Sequence, residues 1–204
     1  TGETYSFDNG TTFQTSNIKS GLPAGTYNVI ISGVNGCNSA ATTAVVNTAP
    51  AAPDVPIAGK ITQPTCSVAT GSVILSGLPS GNWTINPGSV TGNTATATIS
   101  GLTTGTYNFT VTNASGCTSA ASAEVIIEAQ PVKPANPVVN ITQPVCGTPT
   151  GTITVTTQAT GETYSFDNGM TFQTSNIKSG LPAGTYNVII RSVNGCNSAA
   201  TTAV

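Results

Sequence analysis

Apolar residues along this chain recur at every second position. In Thr106–Thr112 the side chains of Tyr107, Phe109 and Val111 fall on one face, and Asn108, Thr110 and Thr112 on the other. Thr152-Ile153-Thr154-Val155-Thr156 alternates in the same way, as do Trp83-Thr84-Ile85 and Tyr164-Ser165-Phe166. A period of two marks a half-buried β-strand, and the residues used are the β-branched and aromatic types that suit one. Turn signals separate these runs: Thr70-Gly71, Gly77-Leu78-Pro79-Ser80-Gly81, Asn86-Pro87-Gly88 and Ala114-Ser115-Gly116. No stretch carries a convincing helical period. The pattern predicts about six or seven short strands per module, the signature of an immunoglobulin-like β-sandwich. In the central module Val73, Leu75, Trp83, Ile85, Tyr107, Phe109 and Val111 are the expected core, with Asn108, Thr110 and Thr112 outside.

The modules repeat. Residues 1–45 and 160–204 differ at only three of 45 positions: Thr11/Met170, Ser32/Arg191 and Gly33/Ser192. A diverged copy lies between them, marked by Gly101-Leu102-Thr103-Thr104-Gly105-Thr106-Tyr107 and Gly116-Cys117. The period is about 80 residues. Two Pro/Ala-rich stretches, Asn47–Pro56 and Gln130–Pro137, punctuate the array, and such joints are extended and semi-rigid. The expected organisation is an all-β linear array. Residues 1–50 form the C-terminal half of an immunoglobulin-like repeat, 51–131 a complete repeat, and 132–204 a nearly complete one. Self-similar arrays set length, stiffness and valency rather than building one catalytic pocket.

Composition narrows the function classes. Charged residues make up 6% of the 204, the formal net charge is −2, and histidine is absent. Threonine, at 37 residues, supplies much of the polar surface. No basic patch exists to hold nucleic acid. No apolar run reaches the 18 or so residues of a membrane helix, so no membrane insertion is expected of this segment.

The segment Gly21-Leu22-Pro23-Ala24-Gly25-Thr26-Tyr27 precedes an alternating strand. Leu-x-x-Gly-x-Tyr in that place is the arrangement of a tyrosine corner, in which Tyr27 bonds back to the preceding turn; Tyr107 and Tyr186 repeat it. The full order also matters: Cys, then Gly-x-Ile/Val, Tyr-Ser-Phe-Asp-Asn-Gly, Gly-Leu-x-x-Gly-Thr-Tyr and Asn-Gly-Cys. It resembles the SprB-type repeat of very large cell-surface adhesins of Bacteroidetes, including those of gliding flavobacteria. The resemblance covers essentially the whole chain. It departs at Glu162-Thr163-Tyr164, where the family often has Pro-Pro-Tyr. It departs again at Ser32-Gly33-Val34 and Arg191-Ser192-Val193, where an Asp often precedes the Asn-Gly-Cys turn. The resemblance implies an extracellular, surface-attached fibre exported by the type IX system. It implies neighbouring repeats as partners, with surface glycans or abiotic surfaces beyond them.

Candidate chemistry is sparse. Without histidine, a catalytic base must be one of seven carboxylates. A glycosidase needs two of them across one cleft. Glu162 and Asp167, with Glu3 and Asp8 in the first copy, are the nearest to a pair, but the central copy lacks both acids in its equivalent segment, Asn82-Trp83-Thr84-Ile85-Asn86. These acids read as solvated turn residues, and the chain as neither an enzyme nor a cofactor binder. Asp167-Asn168-Gly169 alone is a turn and not a calcium cage. Trp83 is a potential sugar-stacking platform, as in a glycan-binding repeat module, but it falls on an alternating strand and reads as core. The threonine ladders at 94–98 and 152–156 read as exposed strand faces.

Five cysteines recur in phase: Cys37, Cys66, Cys117, Cys146 and Cys196. Paired cysteines in small Thr-rich modules indicate an oxidising, extracellular setting. Near-equal spacings of 51 and 50 favour Cys66–Cys117 and Cys146–Cys196, each within one repeat. Such loops contribute up to about 4 kcal/mol in the chain-entropy model. A bond between repeats, Cys66–Cys196, is the alternative if Cys66 and Cys117 stand at opposite poles. Finally, half a sandwich in residues 1–50 exposes its core face, so the 204 residues are expected to be a window on a longer fibre.

Overall fold

The computed structural model describes residues 2–204, in which every regular element is a strand. The chain divides into two compact units. One holds the residues up to Ala52 together with Ser115–Cys117; the other holds Pro53–Ala114 and Thr118–Val204.

The first unit contains one three-stranded antiparallel sheet in the order β1-β2-β3. These strands are Thr4–Ser6, Gly25–Ser32 and Thr42–Val46. None of its apolar residues is fully buried: Tyr5, Phe7 and Val29 are half-buried, and Ile31 is 40% exposed.

The second unit contains two separate cores. Around the first run β4 (Ile57–Thr62), β5 (Gly71–Ser76), β6 (Trp83–Asn86), β7 (Val90–Gly92), β8 (Thr96–Leu102), β9 (Gly105–Tyr107), β10 (Thr110–Asn113) and β11 (Val125–Ile127). One sheet is ordered β4-β5-β8; the opposing strands pair as β10-β6-β7 and β11-β9. This is the two-sheet arrangement of an immunoglobulin-like sandwich. The alternation places Val73, Leu75, Ile85, Phe109 and Val111 in full burial, with Trp83 beside them and Tyr107 packed at the margin. Asn108 is exposed, while Thr110 and Thr112 are partly covered.

The second core is built by β12 (Val139–Thr142), β13 (Gly151–Val155), β14 (Thr163–Ser165), β15 (Ile177–Leu181), β16 (Tyr186–Arg191) and β17 (Thr201–Ala203). Its sheets are β12-β13-β15 and β14-β16-β17. Ile153 and Val155 of β13 close over Tyr164, Phe166, Val188 and Ile190.

The tyrosine corners form in all three copies. The hydroxyl of Tyr27 donates to Pro23 O at 2.8 Å, that of Tyr107 to Thr103 O at 2.9 Å and that of Tyr186 to Pro182 O at 2.8 Å. Each bond returns four residues to the turn before its strand and ties the loop to the sheet. Because the acceptor is a backbone carbonyl, proline or threonine serves equally.

Removing one such hydroxyl tests its share. Tyr107→Phe keeps the ring and loses the bond to Thr103 O, so it is expected to cost about 1 kcal/mol. Urea unfolding followed through the fluorescence of Trp83, the sole tryptophan, reads that shift. An unchanged midpoint would show that the corner contributes nothing to stability.

Candidate functional site

The feature that joins repeats is a disulfide. Cys66 and Cys196 are bonded, with S–S 2.07 Å, Cα–Cα 5.5 Å and 130 residues between them. This corrects the expected pairings Cys66–Cys117 and Cys146–Cys196. The reason lies in the poles of the sandwich. Just after β4, the Gln63 side chain donates to Ile126 O at 3.0 Å and accepts from Glu128 N at 2.9 Å. Gln130 Nε2 then donates to Thr65 O at 3.2 Å. Cys66 therefore stands where β11 leaves its module. Cys117 stands in the turn just after β10, at the opposite pole, where Thr118 faces Thr112. At the other end Ile127 faces Gly105, so about seven strand steps separate the two ends, on the order of 20 Å. A disulfide requires Cα atoms within about 7 Å. Cys146 stands in the same relation to Cys196, since Gln143 Nε2 donates to Val204 O at 3.3 Å.

Cys196 instead meets the exit of the preceding module. It is fully buried, and its Sγ lies 3.8 Å from Pro131 O in the Pro-rich joint. In the first unit the Cys117 thiol sits against Pro50 O at 3.5 Å, the same kind of seat in the other joint. Cys37 and Cys146 are exposed and not in disulfides.

The turn that carries each late cysteine is built on the same plan three times. The glycine before it, Gly36, Gly116 or Gly195, has φ of 78°, 79° or 80°, a left-handed geometry that glycine adopts without strain. Two residues after the cysteine comes a serine that sequence reasoning missed. Ser39 Oγ accepts from Ile31 N at 3.1 Å, Ser119 Oγ from Val111 N at 3.0 Å and Ser198 Oγ from Ile190 N at 3.0 Å. Each serine N–H returns a bond to the same strand residue's carbonyl. The hydroxyl then donates to the following alanine's carbonyl. The string Cys-x-Ser-Ala at 37–40, 117–120 and 196–199 is the signal that marks it. Two of the substitutions between the near-identical copies fall close by. Ser192 Oγ accepts from Cys196 N at 3.2 Å, a bond that Asn35 Oδ1 makes to Cys37 N where Gly33 lacks a hydroxyl. Arg191 lies 3.5 Å over the Phe172 ring and bonds Asn197. Nothing in the structure explains Met170.

The acids are engaged by their own loops. Asp8 and Asp167 each cap a turn whose next residue, Asn9 or Asn168, has positive φ. The Thr171 hydroxyl and N–H and the Ser165 hydroxyl all donate to Asp167. Thr12 and Ser6 do the same for Asp8. These donors hold both carboxyls down at about 2. Glu162 accepts from Ala159 N at 2.8 Å, and Glu3 from the Tyr5 hydroxyl at 3.4 Å. No cluster of three His, Cys, Asp or Glu suited to a metal exists among the described residues. No helix among them is long and apolar enough to cross a membrane.

Trp83 is only 4% exposed, and its indole N–H donates to Thr94 O at 2.9 Å. Gly92 lies so close to the ring that an added Cβ would collide with it. The tryptophan is thus core and not a platform. Beside it opens a groove of about 530 Å³, lined by Asn82, Thr84, Thr91, Asn93 and Asn113.

No family model and no curated protein matches the chain. Several solved structures are similar at low identity. The first three fibronectin-type domains of chicken CNTN1 share 10% identity at a TM-score of 0.34, over 98% of this chain and 88% of that one. The fibronectin(III)-like modules of Clostridium thermocellum CbhA share 19% at 0.32, over 75% and 88%. The Bacteroides ovatus protein SGBP-B, solved with a mixed-linkage heptasaccharide, shares 16% at 0.22, over 98% and 58%.

The turn acids supply a pH test. A carboxyl held below its ordinary 3.8 stabilises the fold above that pH, and this contribution is lost as pH falls through about 2. Carbon-detected NMR titration is expected to place Asp167 at about 2, and Thr171→Val to return it toward 3.8. Titration of Asp167 near 3.8 in the unsubstituted chain would contradict the capped turn.

Proposed function

We propose that the chain is part of the shaft of a secreted, surface-attached bacterial adhesin or filament, a disulfide-stapled mechanical spacer for surface adhesion and gliding. One observation carries this reading: the Cys66–Cys196 bond, which runs from one sequence repeat to the next. A staple inside a module would stabilise that module alone. A staple between modules makes the joint bear load, because the covalent path bypasses the strands enclosed by it. Closing a loop of 130 residues contributes about 5 kcal/mol in the chain-entropy model. The three tyrosine corners and the Pro-rich joints suit the same task. Disulfide use suits a protein that works outside the cell. The resemblance to SprB-type repeats supports gliding and type IX export. The partners are neighbouring repeats of the same polypeptide or fibre, and the reading is non-enzymatic.

The groove beside Trp83 keeps a second reading in play, a glycan-binding module, because its rim presents the amide and hydroxyl groups that hydrogen-bond sugars. A glycan array separates the two. Specific binding abolished by Asn93→Ala would favour the module, and none is expected for a spacer.

Stretching single molecules from end to end tests the shaft directly. The bond withholds 130 residues from extension, on the order of 450 Å of contour length. Reduction or Cys66→Ser is expected to lengthen the fully extended chain by that amount. Equal lengths before and after reduction would overturn the proposal.

A further inference from the structure

The two near-identical copies differ in what covers them. In residues 160–204 the apolar face of β14-β16-β17 is closed by the hairpin β12–β13, and Ile153 and Val155 sit against Tyr164, Phe166, Val188 and Ile190. In residues 4–46 the same side chains recur as Tyr5, Phe7, Val29 and Ile31 on β1-β2-β3. Ile31 is 40% exposed where Ile190 is fully buried. Ala44 is exposed where Ala203 is buried. The edge strand changes as well. β15, Ile177–Leu181, pairs with β13 through Thr152↔Ser179, Ile153↔Lys178 and Thr154↔Ile177. Its counterpart, residues 18–22, forms no strand, and Ile18 is 71% exposed. Asn176 fastens β13 by donating from Nδ2 to Val155 O at 2.9 Å and accepting Val155 N at its own carbonyl. Its counterpart, Asn17, is exposed.

We infer that the open face of residues 5–31 and the edge at 17–22 form a docking site for an incoming β-hairpin of the residue pattern of 138–156. The occupant must place an apolar side chain at every second position, as Ile153 and Val155 do, to fill the space over Val29 and Ile31. Its inner strand pairs along 18–22 and turns that segment into a strand, a case of β-augmentation. Polar contacts alone would leave the face wet, and a flat apolar sheet face is stable only when covered. The hairpin at 138–156 of the chain itself is not the donor, because its inward side chains are already buried in their own core. A second copy of the chain cannot donate its hairpin either, on the same ground. This site holds whether or not the chain serves as a shaft.

A synthetic peptide of residues 136–158 carrying Cys146→Ser, added to the full chain, is the probe. Saturable binding at one peptide per chain is expected, with new amide protection from hydrogen exchange over residues 17–32. A peptide with Ile153→Asp and Val155→Asp is expected to bind at least about 100-fold more weakly, since two buried side chains are lost. A chain with residues 132–159 fused ahead of Thr1 guards against a peptide too slow to fold, and it is expected to show the same protection. The inference is overturned if neither peptide nor fusion protects residues 17–32, or if the Asp-bearing peptide binds equally well. Protection that appears over 163–191 instead, by displacement of the resident hairpin, also overturns it. So does a dimer of the unmixed chain that buries residues 5–31.

Discussion

Each sheet of a sandwich this small is apolar on one side, and each is stable only while the other covers it. Most features of the chain derive from that constraint. Around Leu75 and Phe109 both sheets are present and the side chains are fully buried. Around Val188 the six strands β12–β17 suffice. Around Val29 the same residues with one sheet are only partly covered. Near-identical sequences thus reach different burial because of what lies across from them, not because of their own composition.

Covering one sheet with another fixes where the chain enters and leaves. The first strand of a module ends beside the exit of its last strand, held there by Gln63 and Gln130. That pole is also where the Pro-rich joint begins. A cysteine placed there can meet only the module beyond the joint, and Cys196 is its partner. The connection between repeats is therefore a consequence of sandwich topology. The serine that seats the turn of Cys196 supplies the remaining precision, since it fixes that turn to Ile190 by a closed ring of hydrogen bonds.

Much of this was legible in the sequence. The alternation at 83–85 and 152–156 placed strands and gave the buried side chains correctly, because in a half-covered strand burial follows the pleat directly. Leu-x-x-Gly-x-Tyr gave the tyrosine corners, since its spacing encodes the return to the carbonyl four residues back. Two features were not legible. The strand at 106–112 is split into β9 and β10, because Ser122 takes the N–H of Phe109 in place of a ladder partner. Nothing in the alternation announces a side chain arriving from thirteen residues away. The cysteine pairing was misjudged for a related reason. Spacing inside a repeat states how much chain separates two residues, and says nothing of which pole each occupies.

Disulfide mapping tests the central claim, that successive repeats are bonded through Cys66 and Cys196. Digestion of the unreduced chain with trypsin and a glutamate-specific protease leaves Cys66 and Cys117 in residues 61–124, Cys146 in 129–162 and Cys196 in 192–204. The account predicts a mass-spectrometric cross-link between 61–124 and 192–204 that fragmentation assigns to Cys66. A cross-link between 129–162 and 192–204, with Cys66 joined to Cys117 inside 61–124, would contradict it.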